Sequence, residues 1–256
     1  MINEEPNFLY RYRHLHGEHR EWTKRILTKS LLYFASPSTF NDPFDCRVHF
    51  RSAVSPKALK IKYSELLRKY TSLNRSERRA KASKDVRAKR NIDVIPQITK
   101  GLQEETDKLG VLSFSATNKN ILLWAHYAAG HTGLCLKFIA NSHTQFMGRA
   151  LPVRYLETYP EIGLLDDPAQ QAEIFVLTKA LAWQYEKEWR IIKLSGEGER
   201  RFPEELLVEV ILGARMEQKD KEAVAEWVSE RKSPVQLSQA SVGPGSFSLD
   251  IAPYTH

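Results

Sequence analysis

Three short segments of the chain combine ionisable and aromatic side chains at spacings that packing alone does not require. They are FNDPFD at 40–45, WAHY at 124–127 and YEKEWR at 185–190. Aromatic side chains fix the local backbone, while acids, imidazoles and guanidinium groups held at a dry surface acquire altered pKa values. We therefore expect the three segments to assemble into one polar site, and an enzyme is the first interpretation.

The last of these segments carries two acids, Glu186 and Glu188, separated by one residue. If the segment is extended, this spacing places both carboxylates on one face of a strand, within reach of a single ligand. One carboxylate can then orient a nucleophile while the other stabilises a developing cation. The alternative is structural: Glu188 pairs with Arg190 or a nearby lysine, and Glu186 is solvated.

Two other segments show the same alternating spacing. YRYR at 10–13 predicts a strand with Arg11 and Arg13 on one face and two tyrosines on the other. A guanidinium so placed can bind a phosphate through two hydrogen bonds. VLSFS predicts a strand that brings Ser113 and Ser115 to one face, where their hydroxyls can bind a ribose or an amide. The alternative for these two serines is a solvent-facing position.

The histidines and the first turn allow fewer conclusions. His126 and His131 are five residues apart, which fits neither a His-x-x-x-His zinc pair nor a Cys/His cluster. We expect His126 to act as a proton shuttle or a phosphate ligand, with a structural helix-end histidine as the alternative. Asn41, Asp42 and Asp45 lie in a turn stiffened by proline, where such side chains are favoured for backbone reasons alone.

Both strands and helices are predicted to position these residues. Apolar or alternating runs predict strands at 31–36, 134–139, 153–155, 190–194, 207–212 and 247–251. Helical spacing predicts helices from residue 117 or 118 to 128, from 168 to 183 and from 218 to 231. A long, charged, helix-favouring stretch at 56–109 predicts a helical insertion. Because helices and strands alternate irregularly, the sequence predicts an α+β fold with a mixed sheet core.

The composition is that of an ordinary globular protein. With 256 residues and 42% hydrophobic side chains, the chain can bury one large core, and we expect a single domain over residues 1–256. No apolar run approaches the ~20 residues of a membrane span, and MINEE at the N-terminus lacks the features of a secretory signal. A cytoplasmic protein without membrane contact is therefore expected. Cys46 and Cys135 are expected to be buried free thiols.

The net charge of +7 is unevenly distributed. Residues 68–90 contain ten lysines or arginines against two acids, a local excess of +8, so the rest of the chain sums to −1. A basic helical face of this kind, from Arg68 to Arg90, can bind RNA or DNA through phosphates. The alternative is a solvated helix surface, since no aromatic stripe for base stacking is interleaved with these charges.

Several motifs occur in an order that resembles a known bacterial family. They are YRY at 10–12, LYFASP at 32–37 with FNDPFD, SFS at 113–115 with WAHY and His131-x-Gly133, and residues 179–183 with YEKEWR. Together they resemble the domain-of-unknown-function 2971 family, over most of the chain except the insertion. That family has no assigned activity. Its association with mobile-element and phage-defence genes implies a toxin or defence role.

A second resemblance carries a mechanism. An early arginine strand, a Ser-x-Ser strand and a later Glu-x-Glu pair resemble the Arg-Ser-Glu class of ADP-ribosyltransferases. The resemblance implies that Arg11 or Arg13 holds the pyrophosphate of NAD and that Ser113 and Ser115 support its nicotinamide half. It also implies that Glu188, with Glu186, stabilises the ribosyl cation.

The expected function is therefore cleavage of NAD, as a substrate, with transfer of ADP-ribose to a macromolecular acceptor. No metal is predicted. We expect further aromatic, polar or charged side chains to bind NAD: Asn41, Trp124, Tyr127, Tyr185 and Arg190.

Two other functions stay open. In the first, Asp42, Asp45, Glu186 and Glu188 bind Mg²⁺, and Lys187 or His126 assists phosphodiester cleavage in a nuclease. In the second, the same groups form a non-catalytic pocket that senses a nucleotide or binds a partner. Dependence of activity on a divalent ion, or ligand binding without turnover, distinguishes these alternatives.

Overall fold

The computed structural model describes residues 6–49, 55–88, 91–141, 143–160, 162–163 and 166–255. Its elements confirm the predicted α+β class: helices and strands interleave irregularly around one mixed sheet. The predicted N-terminal features at residues 1–5 and two of the predicted basic residues, at 89 and 90, lie outside the described residues. None of the described helices is long and apolar enough to cross a membrane.

The strands carry the site. In chain order they are β1 (Phe8–Arg13), β2 (Leu31–Phe34), β3 (Gly110–Ser115), β4 (Leu134–Ile139), β5 (Leu151–Pro152), β6 (Arg154–Leu156), β7 (Thr178–Ala180), β8 (Glu188–Lys193), β9 (Gly198–Arg201), β10 (Leu207–Leu212), β11 (Gln236–Val242) and β12 (Leu249–Pro253). Eight of them form the main sheet, in the order β12-β11-β10-β4-β1-β3-β8-β5. Its pairs are antiparallel except β10 with β11. β2 pairs with β9 and β6 with β7 in two small ribbons.

The main sheet opens between β1 and β3. β1 pairs with β4 along its whole length, and β3 pairs with β8 along its whole length. Between β1 and β3, in contrast, the register contains a single pair, Tyr10 with Ser115. The two strands therefore diverge beyond this point, and the gap leaves room for side chains and for a ligand.

The helices are α1 (His19–Lys29), α2 (Pro56–Tyr70), α3 (Arg75–Arg87), α4 (Asn91–Thr106), α5 (Ile121–Tyr127), α6 (Pro168–Val176) and α7 (Gln218–Ser229). The main core lies against the sheet. It includes Leu27, Leu112, Phe138 and Val224, which are all fully buried. α2, α3 and α4 follow one another between β2 and β3, in the stretch predicted as a helical insertion. Their apolar faces form a second cluster around Leu59, Tyr63, Val86 and Ile98.

The predicted helix at 168–183 is wrong in its second half. α6 ends at Val176, after which Thr178–Ala180 forms β7 and Leu181–Glu186 forms a 3-10 helix. The chain extends here because β7 pairs in parallel with β6, an interaction between distant segments that helical spacing does not reveal. The helix predicted from residue 117 or 118 begins later, because Asn120 is its cap and accepts hydrogen bonds from the backbone of Leu122 and Leu123.

Candidate active site

A cavity of about 380 Å³ lies where β1 and β3 diverge. This volume falls within the range of small-molecule sites, ~300–1000 Å³. β1, β3 and β8 contribute to its wall, and so do the turn at 39–45, α5, β7 and the 3-10 helix before β8. The residues that line it are Tyr10, Arg11, Tyr12, Arg13, Ala35, Thr39, Phe40, Asn41, Asp45, Ser113, Phe114, Ser115, Leu123, Tyr127, Lys179, Glu186, Glu188 and Arg190.

Most of the predicted site residues meet at this cavity. Arg11, Arg13, Ser113, Ser115, Asn41, Tyr127, Arg190, Glu186 and Glu188 all line it. They come from five separate segments of the chain. Asn41 is exposed, whereas the two glutamates and Arg190 are buried.

Three predicted residues lie elsewhere. His126 is exposed at the end of α5, with its ring near those of Tyr127 and Tyr185. Trp124 is fully buried, packs edge-on against Tyr12 with ring centroids 5.3 Å apart, and donates from Nε1 to the carbonyl of Asn118. Tyr185 lines a separate cavity, of about 710 Å³. None of the three lines the cavity between β1 and β3.

The two glutamates reach the cavity by a route different from the predicted one. We expected an extended segment with both carboxylates on one strand face. Instead Glu186 ends the 3-10 helix, Lys187 follows with a left-handed φ of 46°, and Glu188 opens β8. The left-handed residue ends the 3-10 helix directly before the strand begins, so the two acids come together at this junction rather than through strand alternation. The Oγ of Ser115 donates to the carbonyl of Glu186 at 2.6 Å and fixes this turn.

The acid wall of the cavity is a buried network of five charges. The carboxylates are Asp45, Glu186 and Glu188, and the cations are Lys179 and Arg190, all less than 9% exposed. Arg190 binds both oxygens of Asp45, at 2.9 and 2.6 Å, and both oxygens of Glu188, at 2.7 and 2.9 Å. Lys179 lies 2.5 Å from Glu186, 3.1 Å from Glu188 and 3.7 Å from Asp45.

This network separates the pKa values of the two glutamates. Burial alone would raise the pKa of Glu188, but Arg190, Lys179 and their hydrogen bonds outweigh burial and lower it to about 2. Burial raises the pKa of Glu186, and the opposing effect of Lys179 does not compensate. Tyr127 donates its hydroxyl proton to Glu186 at 2.6 Å. Glu188 is therefore a fixed negative charge, whereas Glu186 is the carboxylate better suited to exchange a proton.

The part of the cavity formed by β1, which we call the arginine wall, carries Arg11 and Arg13, and neither forms a hydrogen bond or salt bridge with an acid in the described part of the chain. Nη1 of Arg11 donates to the carbonyl of Ser113 at 2.7 Å, and its buried Nε has no hydrogen-bond partner among the described residues. Arg13 contacts only neutral groups of Thr23 and His19. Burial and the charge of Arg13 lower the pKa of Arg11 to about 9, although the charge of Glu188 acts in the opposite direction. Burial lowers the pKa of Arg13 to about 10. An anion bound here would relieve this cost.

The sequence interpretation missed the roles of two residues in this site. Lys179 belongs to a motif noted in the sequence but had no assigned role, and its helix was predicted to continue past it. The sequence predicts Asp45 as a turn residue or, in the nuclease alternative, as a ligand of Mg²⁺, and the structure shows it as the bidentate partner of Arg190. A lysine near two glutamates in the sequence was the one available signal for Lys179, whereas the pairing of Asp45 spans 145 residues.

The two cysteines are buried and free, as expected. Cys46 lies in the acid network, 3.3 Å from both Asp45 and Arg190, and burial raises the pKa of its thiol. A thiol that stays protonated is a poor nucleophile. Cys46 therefore has no catalytic role in our account of the site.

The fold and the cavity define an α+β protein with a polar cleft in the opening of a mixed sheet. Residues 123–191 match a family model described as "Protein of unknown function (DUF2971)". This confirms the resemblance for that segment, which contains Tyr127, Lys179, both glutamates and Arg190. No curated protein and no solved structure matches the chain. The comparisons give no support to the resemblance to ADP-ribosyltransferases.

Proposed function

We propose that the protein binds NAD in the cavity between β1 and β3, cleaves its nicotinamide–ribose bond and transfers ADP-ribose to a macromolecular acceptor. The observation that carries the proposal is that one cavity is lined both by cations without a salt bridge and by an ionised carboxylate. Arg11 and Arg13 form no salt bridge in the described structure, and the fixed charge of Glu188 lines the same cavity. A ligand that carries anionic groups and develops positive charge elsewhere matches these two kinds of side chain.

The arginine wall supports binding of the pyrophosphate. A guanidinium binds phosphate oxygens through paired N–H donors, and Arg11 retains a buried Nε donor without a partner in the described residues. A cavity of about 380 Å³ suits the nicotinamide riboside end of the dinucleotide better than the whole molecule. The adenosine end would then lie towards the exposed rim.

The acid wall supports cleavage of the bond between nicotinamide and ribose. When the bond between the nicotinamide nitrogen and the ribose C1′ breaks, nicotinamide leaves with the bonding electrons as a neutral ring, and positive charge develops on the ribose. A carboxylate that is ionised at every relevant pH stabilises this charge more in the transition state than in the ground state. Glu188 meets this requirement because its pKa is lowered to about 2.

Capture of the ribosyl cation requires a base. The acceptor contributes an electron pair to C1′ and loses a proton. Glu186 can take that proton, because burial raises its pKa and it is held by Tyr127 and Lys179. Lys179 and Arg190 position the two glutamates. His126, which lies outside the cavity, has no step in this mechanism.

The test is release of nicotinamide from labelled NAD, followed by chromatography, with and without RNA, DNA and cell lysate. We expect release by the natural protein, loss of at least 100-fold in Glu188→Gln, and unchanged release in Glu205→Gln, which alters an exposed acid outside the cavity. Glu186→Gln provides a second variant if Glu188→Gln is unstable, and folding of each variant is checked by urea titration. No release under any condition would overturn the proposal.

The Mg²⁺-dependent nuclease is less well supported. Among the described residues, no three His, Cys, Asp or Glu side chains are arranged to hold a metal ion. Asp45 and Glu188 instead share Arg190, whose charge occupies the position that a divalent ion would need. Cleavage of RNA or DNA that EDTA abolishes would reverse this preference.

A further inference from the structure

The outer surfaces of α2 and α3 form a basic groove, which we define as the cavity of about 630 Å³ between them. α2 contributes Lys60 and Arg68, and α3 contributes Arg75, Arg78 and Arg79. The groove also contains Ser64 and Ser83, whose hydroxyls can donate hydrogen bonds, one acid, Glu65, and one exposed apolar residue, Ile61. It lies on two of the helices whose apolar faces form the second hydrophobic cluster, and it shares no lining residue with the cavity between β1 and β3.

The cations of the basic groove are available, unlike their neighbours on the same helices. Lys62, Lys69 and Lys81 form ion pairs with acids within the helical segment. Over the described ranges, Lys60, Arg68, Arg75 and Arg79 have no acidic partner, and Arg78 donates to the carbonyl of Leu73. The five cations that line the groove thus form no ion pair in the described structure, whereas three lysines outside it are paired with acids.

The acid that lines the basic groove does not cancel these charges. Glu65 lies 3.8 Å from Lys62, a residue of the same helix, α2, that does not line the groove. The lining therefore has five cations against one partly neutralised carboxylate. Such an arrangement attracts a polyanion, since a single small anion would leave most of the charge unmatched.

We propose that the basic groove binds the phosphate backbone of a nucleic acid. α2, with 15 residues, is about 22 Å long, and α3, with 13 residues, is about 20 Å long, so the groove can follow several consecutive phosphates. Arginine forks and serine hydroxyls are the groups that contact phosphates in such complexes. Among the side chains that the structure describes, no aromatic one lines the groove, so we expect little preference for base sequence.

A lipid surface fits the basic groove less well. A helix that lies on a membrane inserts an apolar face, but Ala82 and Val86 of α3 are buried against α2 and α4 in the second cluster. Apart from Ala80, the exposed residues of α3 are polar or charged, and Ile61 is the one apolar side chain among the described residues that line the groove. The inference does not depend on the NAD chemistry proposed above, and failure of one leaves the other standing.

The test measures binding of the full-length protein to a fluorescent 20-base-pair DNA duplex of random sequence, by anisotropy across a salt series. Four or five phosphate contacts predict a slope of log K against log salt of about −4. In Arg75→Gln/Arg79→Gln we expect at least tenfold weaker binding at 100 mM salt and a slope smaller by about 2.

The control is Arg149→Gln/Lys232→Gln, which removes the same charge from exposed residues outside the groove. This variant is expected to bind within twofold of the natural protein. Equal weakening in both double variants would show that net charge alone attracts the duplex and would overturn the site. Binding to anionic lipid vesicles or to polyglutamate as tight as to the duplex, at equal salt, would overturn the nucleic-acid assignment.

Discussion

Arg190 and Arg11 project into one cavity from the same sheet, and their surroundings differ completely. Arg190 is fully buried and binds two carboxylates, each through both oxygens, and the carbonyl of Val176. Arg11 has a carbonyl as its partner and a buried Nε without one among the described residues. The pKa of Arg190 is raised despite burial, because Glu188 and Asp45 outweigh desolvation, whereas burial lowers that of Arg11 to about 9.

The difference separates a positioning residue from a binding residue. A buried cation with all its partners inside the protein holds those partners in place, and it has little left to offer a ligand. A buried cation whose charge is not matched gains most from an anion that arrives from outside. Burial and residue type alone do not distinguish the two roles. The hydrogen-bonding and charged partners of each arginine distinguish them.

The largest expected effect is on stability when the paired arginine is removed. Arg190→Met leaves Asp45 and Glu188 buried with Lys179 as their cation, and we expect a loss of about 3–5 kcal/mol in the free energy of unfolding. Urea titration measures it. Arg149→Met, at an exposed position, should cost less than about 0.5 kcal/mol. A loss below 1 kcal/mol for Arg190→Met would contradict the structural role.

Low pH is expected to destabilise the acid wall of the cavity. The pKa of Glu188 is lowered in the folded protein to about 2, so the unfolded chain binds the proton first as pH falls. The stabilisation is complete above pH 4.5 and disappears as pH falls towards 2, and a shift of this size corresponds to about 3 kcal/mol. We expect urea titrations at pH 5 and pH 3 to show a smaller loss in Glu188→Gln than in the natural protein. Equal losses would contradict the role of Glu188.

Tyr127→Phe tests the proton-exchanging carboxylate. The variant removes the hydroxyl that donates to Glu186, so the pKa of Glu186 should rise further above its usual range. We expect a stability loss of about 1 kcal/mol and an acidic limb of the pH–rate profile displaced to higher pH. Nicotinamide release measured from pH 5 to 9 detects the shift. A profile that falls in rate without moving would show that Tyr127 does not act through Glu186.

The smallest stability effect is expected for the unpaired arginine. Arg11→Met keeps the apolar part of the side chain, removes a disfavoured buried charge and loses one hydrogen bond to Ser113. We expect a change within about 1 kcal/mol, in either direction. The same urea titration that measures Arg190→Met provides the comparison. If the two substitutions cost the same, the contrast between the two arginines is wrong.

Local patterns predicted the parts of the site that single strands provide. Alternation gave β1 with Arg11 and Arg13, and β3 with Ser113 and Ser115, because the period of two is a property of each strand by itself. The class of fold followed from the irregular order of helices and strands. Nine of the twelve predicted site residues line the cavity, and all nine belong to segments that combine polar or ionisable groups with aromatic side chains.

The parts that could not be predicted depend on distant contacts. The opening between β1 and β3 results from a register that contains one pair, and no local pattern encodes it. Lys179 reaches the glutamates because β7 pairs with β6, which overrides the helical spacing of the segment before it. The left-handed Lys187 between the glutamates is a non-glycine residue in a conformation that sequence rules assign to glycine or asparagine.

The most direct test of the central claim is the affinity for NAD measured by isothermal titration calorimetry on the natural protein, Arg11→Met and Arg149→Met. The claim is that the unpaired arginine wall binds the anionic part of the ligand. We predict at least tenfold weaker binding for Arg11→Met, with Arg149→Met unchanged. Equal affinity for NAD in all three proteins would contradict the account, because the division between paired and unpaired arginines would then have no consequence for the ligand.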